Sequence, residues 1–252
     1  YPALKIPENL NSLGTVNYQG AFDGFITDFV STGKLVTSVG YATTDLNFKY
    51  DKERNKSAYS GALALIDFDL GRFFRDERNL GKVSMNTKIK GGGLTLESLK
   101  ADLNGNVSSI VLKNYNYKDI KIDGTVKGKS FTGSLKIDDP HLKMDFVGAI
   151  DATKKIPAFR FSSKVYRAEL QALNLIEKNI VISGQLSSDF SGDKIDNFVG
   201  SVSLNDVNVT RDDSIEASFG NMRLEARLLS AETKKIRLIS DFAEGEIEGD
   251  FT

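Results

Sequence analysis

The sequence predicts an all-β protein: an elongated, mostly antiparallel sheet of more than a dozen strands, with a few short helical turns. Three observations predict it. Apolar and polar residues alternate with a period of two along most of the chain, and strand side chains alternate faces. The 22 glycines often sit within or at the ends of these runs, where they permit bulges, bends and tight turns, and only 4 prolines interrupt them. Hydrophobic content is 40%, which fits strands with one wet face better than strands buried on both.

Taken in order, the elements share a loose repeat. Ile26-Thr-Asp-Phe29-Val-Ser31, Leu96-Glu-Ser-Leu99-Lys-Ala101 and Ile195-Asp-Asn-Phe198-Val-Gly200 each read apolar, two residues, apolar, one residue, small. Each follows a glycine-bearing turn (Gly24, Gly91 to Gly93, Gly192) and leads into a strand. Apolar residues three apart predict one helical turn capping a strand edge. The irregular spacing points to related modules along an elongated sheet rather than a strict solenoid. Short helical turns are also expected in Asp67 to Phe74 and in Arg167 to Lys178.

The strands between are read from alternation. Ile120, Ile122, Gly124 and Val126 share a face opposite Lys121, Asp123, Thr125 and Lys127. Phe131, Gly133, Leu135 and Ile137 form one strand face, and Leu142, Met144, Phe146, Gly148 and Ile150 the next. Asp138-Asp139-Pro140 supplies the turn between them, because Pro fixes φ and disfavours helix before it. Phe159, Phe161 and Val165 follow, then Ile180, Ile182, Gly184 and Leu186, then Met222, Leu224, Ala226 and Leu228. The closing EGEIEGDFT still alternates like a strand. The chain does not begin with Met and shows no signal peptide, so we expect a piece of a longer protein with its targeting signals elsewhere.

Such a sheet has an apolar face that something must cover. The predicted helical turns are too few and too short. The sheet can fold so that its apolar faces meet, as in a sandwich, or stay an open trough lined for an apolar ligand. Alternation does not separate the two, and by itself it favours the dry sandwich.

Composition excludes several functions. A net charge of −1 gives no footprint for nucleic acid or an anionic membrane. The absence of cysteine excludes disulfides, cysteine nucleophiles and thiolate metal sites. No apolar run approaches the roughly 20 residues of a membrane span.

Candidate chemistry is sparse. The only histidine, His141, sits beside Pro140 and reads as a solvated turn residue, with no GxSxG-type turn to accompany it. Asp138 and Asp139 form a carboxylate pair in sequence, but adjacent strand-turn residues point apart. Asp189, Asp193 and Asp196 near Gly192 lack the spacing and terminal glutamate of a calcium loop. Lys90-Gly91-Gly92-Gly93 lacks the Gly-Lys-Ser/Thr ending of a phosphate loop and reads as a flexible strand end. Asn55-Lys-Ser57, Asn106-Val-Ser108 and Asn208-Val-Thr210 match the glycosylation tripeptide, a pattern that arises often by chance. No catalytic residue, metal ligand or cofactor site is assigned.

The segments Gly20 to Tyr50, Leu80 to Ile110 (LGKVSMNTKIKGGGLTLESLKADLNGNVSSI), Asn114 to Asp151, LQALNL (Leu170 to Leu175) and DKIDNFVG together resemble the translocation-and-assembly-module TamB proteins, in their Bacteroidota-type form. TamB belongs with AsmA-like proteins, which resemble bridge-type lipid transfer proteins. The resemblance covers nearly all the chain and rests on the order and phasing of its motifs. It implies a curled sheet, a β-taco, with an apolar groove along its length. It implies residues 1–252 as one β-groove segment inside a longer chain, with loosely repeated modules near 14–80, 81–177 and 178–252. The family implies an inner-membrane-anchored protein of a Gram-negative bacterium whose segment here crosses the periplasm. Its implied roles are phospholipid transport between membranes and outer-membrane biogenesis, including assembly of β-barrel proteins. The implied partners are phospholipid acyl chains and an outer-membrane barrel protein, the latter through regions outside this segment. Alternation and the family's groove together assign the lining to Leu135, Ile137, Met144, Phe146, Ile150, Phe159, Phe161, Ile180, Ile182 and Leu186. The family has no catalytic residues.

Overall fold

A computed structural model describes residues 8–54, 56–211, 214–230 and 233–250. The chain divides into two units, residues 1–129 and 130–252. Asn55 of the first glycosylation tripeptide lies outside the described residues, as do the last two residues of the closing run.

The first unit is an antiparallel meander of β1 (Asn17–Phe25), β2 (Asp28–Thr37), β3 (Gly40–Asp51), β4 (Lys56–Asp69), β5 (Leu80–Gly92), β6 (Lys100–Leu112) and β7 (Tyr115–Lys127). Each strand pairs with the next in the sequence, and β1 does not pair with β7, so this sheet does not close. A single turn of helix, α1 (Leu70–Phe74), follows β4. The Asp69 side chain caps it by accepting from the Arg72 N–H at 2.9 Å. Arg75, at φ 58°, ends it. A 3₁₀ segment, Glu8–Leu13, precedes the sheet.

The second unit repeats the plan. Its strands are β8 (Ser130–Asp139), β9 (Leu142–Asp151), β10 (Ala158–Glu169), β11 (Ile180–Ser191), β12 (Val199–Arg211), β13 (Ser214–Leu228), β14 (Lys234–Ser240) and β15 (Glu244–Gly249). They pair in chain order, all antiparallel, and β8 does not pair with β15. The all-β, open antiparallel class predicted from the sequence is borne out.

Within each unit every described strand belongs to one continuous open sheet. Among the described residues fourteen apolar side chains are buried, from Val39 and Ala42 to Phe198 and Ala226. The rest of the apolar face is half-buried, as at Leu63, Ile89, Leu103, Ile122, Met144 and Leu186, or exposed, as at Tyr18, Phe22 and Leu238. A sandwich core would bury nearly all of them. The dry sandwich therefore does not arise within either unit.

The opposite face is wet and charge-paired across strands. Lys49 meets Asp28 at 2.9 Å, Lys143 meets Asp138 at 2.8 Å and Arg160 meets Asp189 at 3.2 Å, each pair directly opposite in the register. Exposed pairs of this kind add little stability, but they favour the correct register over slipped ones.

One helical expectation needs correction. Ile26-Thr27 is a two-residue hairpin turn, because β1 and β2 stay paired up to Phe25 and Asp28. In Arg167 to Lys178, Arg167 to Glu169 remain in β10 and the expected single turn follows, the Leu173 N–H donating to the Glu169 carbonyl at 3.0 Å, with Asn174 at φ 59° ending it. Of the three repeat motifs the last contains a 3₁₀ turn at Ile195–Asn197, and the second a single helical turn in which the Leu99 N–H donates to the Thr95 carbonyl at 2.8 Å. Two of them still share a function. The Thr27 carbonyl accepts from the Tyr50 N–H at 2.7 Å, and the Leu99 carbonyl from the Gly128 N–H at 2.9 Å, each bracing the start of one strand against the end of the next.

Candidate functional site: the apolar face of the second unit

The register of β8 to β11 decides which side chains share a face. Phe131 lies opposite Ile150, Ile150 opposite Phe159, and Phe159 opposite Phe190. Leu135 lies opposite Phe146, Phe146 opposite Ser163, and Ser163 opposite Leu186. Ile137 lies opposite Met144, and Phe161 opposite Gly148. Ile180 and Ile182 stand two residues apart in β11 and so share that face. The structure thus places all the predicted lining residues on one face.

They do not play the same part. Ile137 is 8% exposed and Phe146 4% exposed, so these two form the packed floor and offer no surface to a ligand. The other predicted residues are half-buried. Phe146 sits between aromatic neighbours, its ring centroid 6.1 Å from Phe131 and 5.0 Å from Phe161. A second row stacks Phe159 on Phe190 at 4.8 Å and Phe190 against Phe198 at 5.0 Å. Phe131, Phe190, Val202 and Leu204 share this face and are absent from the predicted set. Alternation could have found Phe190, but Gly184 and Ser188 interrupt its run.

Two polar residues point the same way without making the face polar. The Ser163 hydroxyl donates to the Asp145 carbonyl at 2.9 Å, and the Ser188 hydroxyl to the Phe161 carbonyl at 3.5 Å. Both are buried, their hydrogen bonds turned back to the backbone. Gly148 is required by close approach: a Cβ there would lie 2.4 Å from the Phe161 Cα, and its φ is +147°.

One end of the face carries a polar knot. The buried Asp139 carboxylate accepts from the His141 N–H at 2.9 Å. His141 Nδ1 lies 2.9 Å from the Glu169 carboxylate, which also accepts from Arg167 at 2.8 Å. The Glu169 N–H donates to the His141 carbonyl at 2.9 Å. Burial pushes the Glu169 carboxyl up, but the hydrogen bonds from His141 and Arg167 outweigh it and hold the carboxyl below its usual value. His141 is therefore half-buried and tied across the turn, not merely solvated, because Glu169 reaches it from the end of β10.

The other candidate clusters stay apart. Asp138 is exposed and Asp139 buried, so the pair points apart as the strand geometry requires. Asp189 is engaged by Arg160, while Asp193 accepts from Asn197, and no cluster of three or more potential metal ligands occurs among the described residues. The Gly93 N–H is taken by the Ser57 hydroxyl at 3.0 Å, which leaves it no role in a phosphate cradle. Asn106 and Asn208 lie exposed within β6 and β12.

No protein-family model, curated protein or solved structure matches the chain. The fold and site define a class: an open, single-sheet antiparallel β protein whose apolar face is half-exposed.

Proposed function

We propose that the chain is a periplasmic segment of a TamB-like protein whose apolar β-face shields phospholipid acyl chains in transit between the inner and outer membranes, without catalysis. The observation that carries this reading is the half-buried apolar surface of β8 to β11, continuous in register within a single open sheet. Burying an acyl chain is worth about 0.8 kcal/mol per CH₂. A chain of about sixteen carbons would forfeit on the order of 12 kcal/mol crossing water unaided. Many shallow contacts of similar strength lower that barrier and still allow sliding. Phe, Ile, Leu and Met provide them, and the serine hydroxyls bonded to backbone add no polar trap.

Native mass spectrometry of the purified chain, with lipid extraction of the same sample, tests this reading. Bound phospholipid that is lost in folded Met144→Arg and Ile182→Arg variants supports it. A lipid-free protein that takes up no added phospholipid contradicts it.

A second reading is a scaffold that holds nascent outer-membrane strands by β-augmentation. It is favoured by β1, which is exposed at every position and has no strand on its outer edge among the described residues. Its sequence, NYQGAFDGF, carries one charge, whereas β15, EGEIEG, carries the acidic residues that commonly protect an edge. Crosslinks from β1 to barrel polypeptides support this reading; their absence during barrel assembly counts against it.

A further inference from the structure

The 3₁₀ segment Glu8–Leu13 belongs to no strand, yet the first unit holds it at both ends. The strand β5 has 13 residues and spans about 40 Å when extended. The chain enters it from α1 at the Leu80 end and leaves it through Gly93 at the Gly92 end. Both flanking segments contact side chains of the apolar face. On the α1 side, the Phe73 ring lies 5.5 Å from that of Phe68, which shares a face with Leu65. On the Gly93 side, the Tyr59 hydroxyl, on the same face, reaches the Gly92 carbonyl at 3.3 Å and the Gly93 carbonyl at 3.1 Å.

Adjacent residues of the 3₁₀ segment join these two sides. Arg75 donates to the Glu8 carboxylate at 2.8 Å, and the Asn9 amide donates to the Leu94 carbonyl at 2.6 Å. At the other end the Leu13 carbonyl accepts from the Ser38 N–H at 2.8 Å. Gly14, at φ +63°, makes the hinge, where a Cβ would lie 2.2 Å from the Ser38 hydroxyl oxygen.

We propose that Glu8–Leu13 is a displaceable strap that closes the apolar face of the first unit and regulates access of acyl chains to it. What it excludes rests on the lipid reading above; that it is displaceable rests on its own contacts. Its ion pair is solvent-exposed on both sides, and such pairs contribute little. Asn9 is 7% exposed, and its Oδ1 is buried with no hydrogen-bond partner. An unsatisfied buried acceptor penalises the closed state, and opening the strap returns it to water.

The test uses the whole chain with a photoreactive palmitate analogue, label sites mapped by peptide mass spectrometry, and amide hydrogen exchange on the same samples. Glu8→Ala with Asn9→Asp removes the ion pair and sets a carboxylate against the Leu94 carbonyl. Gly14→Ala disrupts the hinge independently. Label on β4 and β5 is expected to rise at least fivefold in both variants, with label on β9 to β11 unchanged. Exchange of the Ser38 amide is expected to quicken at least tenfold. Equal label on β4 and β5 in wild type and variants overturns the proposal, and so does unchanged Ser38 exchange. Absence of label everywhere overturns the lipid reading instead, and the exchange measurement then decides the strap by itself.

Discussion

Leu65 and Phe68 face the same way although they stand three positions apart in β4. Leu65 lies opposite Met85 and Phe68 opposite Val83, so β4 takes one extra residue between them. Asp67, at φ 47°, absorbs it, and its N–H donates to the Ser84 hydroxyl at 3.0 Å. Without this bulge Phe68 would turn to the wet face and lose its contact with Phe73 of α1. A left-handed backbone suits Asp or Gly and strains a β-branched residue. Asp67→Val is therefore expected to destabilise the chain by about 1–2 kcal/mol, and Asp67→Gly to be near neutral. Urea titration of the two variants checks this.

That bulge also shows what the sequence hides. Alternation identified the strand faces and put the ten named residues on one face, because a period of two is a direct consequence of strand geometry. It does not register a phase slip. Val165 and Ala168 share a face three residues apart, as do Val107 and Ile110, and neither step carries a glycine or proline to mark it. Nor could alternation distinguish floor from lining. Phe146 and Phe161 are equivalent in pattern, and only the register, with Phe131 on one side and Phe161 on the other, buries the first. The tie from His141 to Glu169 spans 28 positions and left no local signal.

Floor and lining differ in stability. Phe146→Ala empties a packed site and is expected to cost about 3–5 kcal/mol. Leu186→Ala removes a side chain already half in water and is expected to cost less than about 2 kcal/mol. Denaturant unfolding of both variants measures the difference; equal losses would contradict the assignment.

Glu169 sets a pH dependence. Its carboxyl is held below the ordinary glutamate value of 4.5, so the folded state binds its proton less readily than the unfolded chain does. The stability it contributes is complete above 4.5 and is lost as pH falls through the lower folded value. Glu169→Gln is expected to flatten that acidic part of the profile. Unfolding measured from neutral pH downward on wild type and variant checks it, and parallel profiles would contradict the role of the knot.

Tyr59 acts at the other end of the pH scale. Burial pushes its phenol up to about 12, which keeps the hydroxyl protonated as a donor to Gly92 and Gly93. The unfolded chain releases this proton first, so stability falls as pH rises above 10.0, the ordinary tyrosine value. Spectrophotometric titration should show a late tyrosine that vanishes in Tyr59→Phe. The same substitution is expected to cost about 1 kcal/mol at neutral pH.

The most direct test of the account compares the two faces of the same strands. A photo-crosslinking residue is placed in turn at Leu186 and Gln185 of β11, and at Met144 and Lys143 of β9, in the presence of phospholipid vesicles. The account predicts lipid adducts from positions 186 and 144, and none above background from 185 and 143. Equal adducts from both faces, or none from the apolar face of a folded protein, would contradict it.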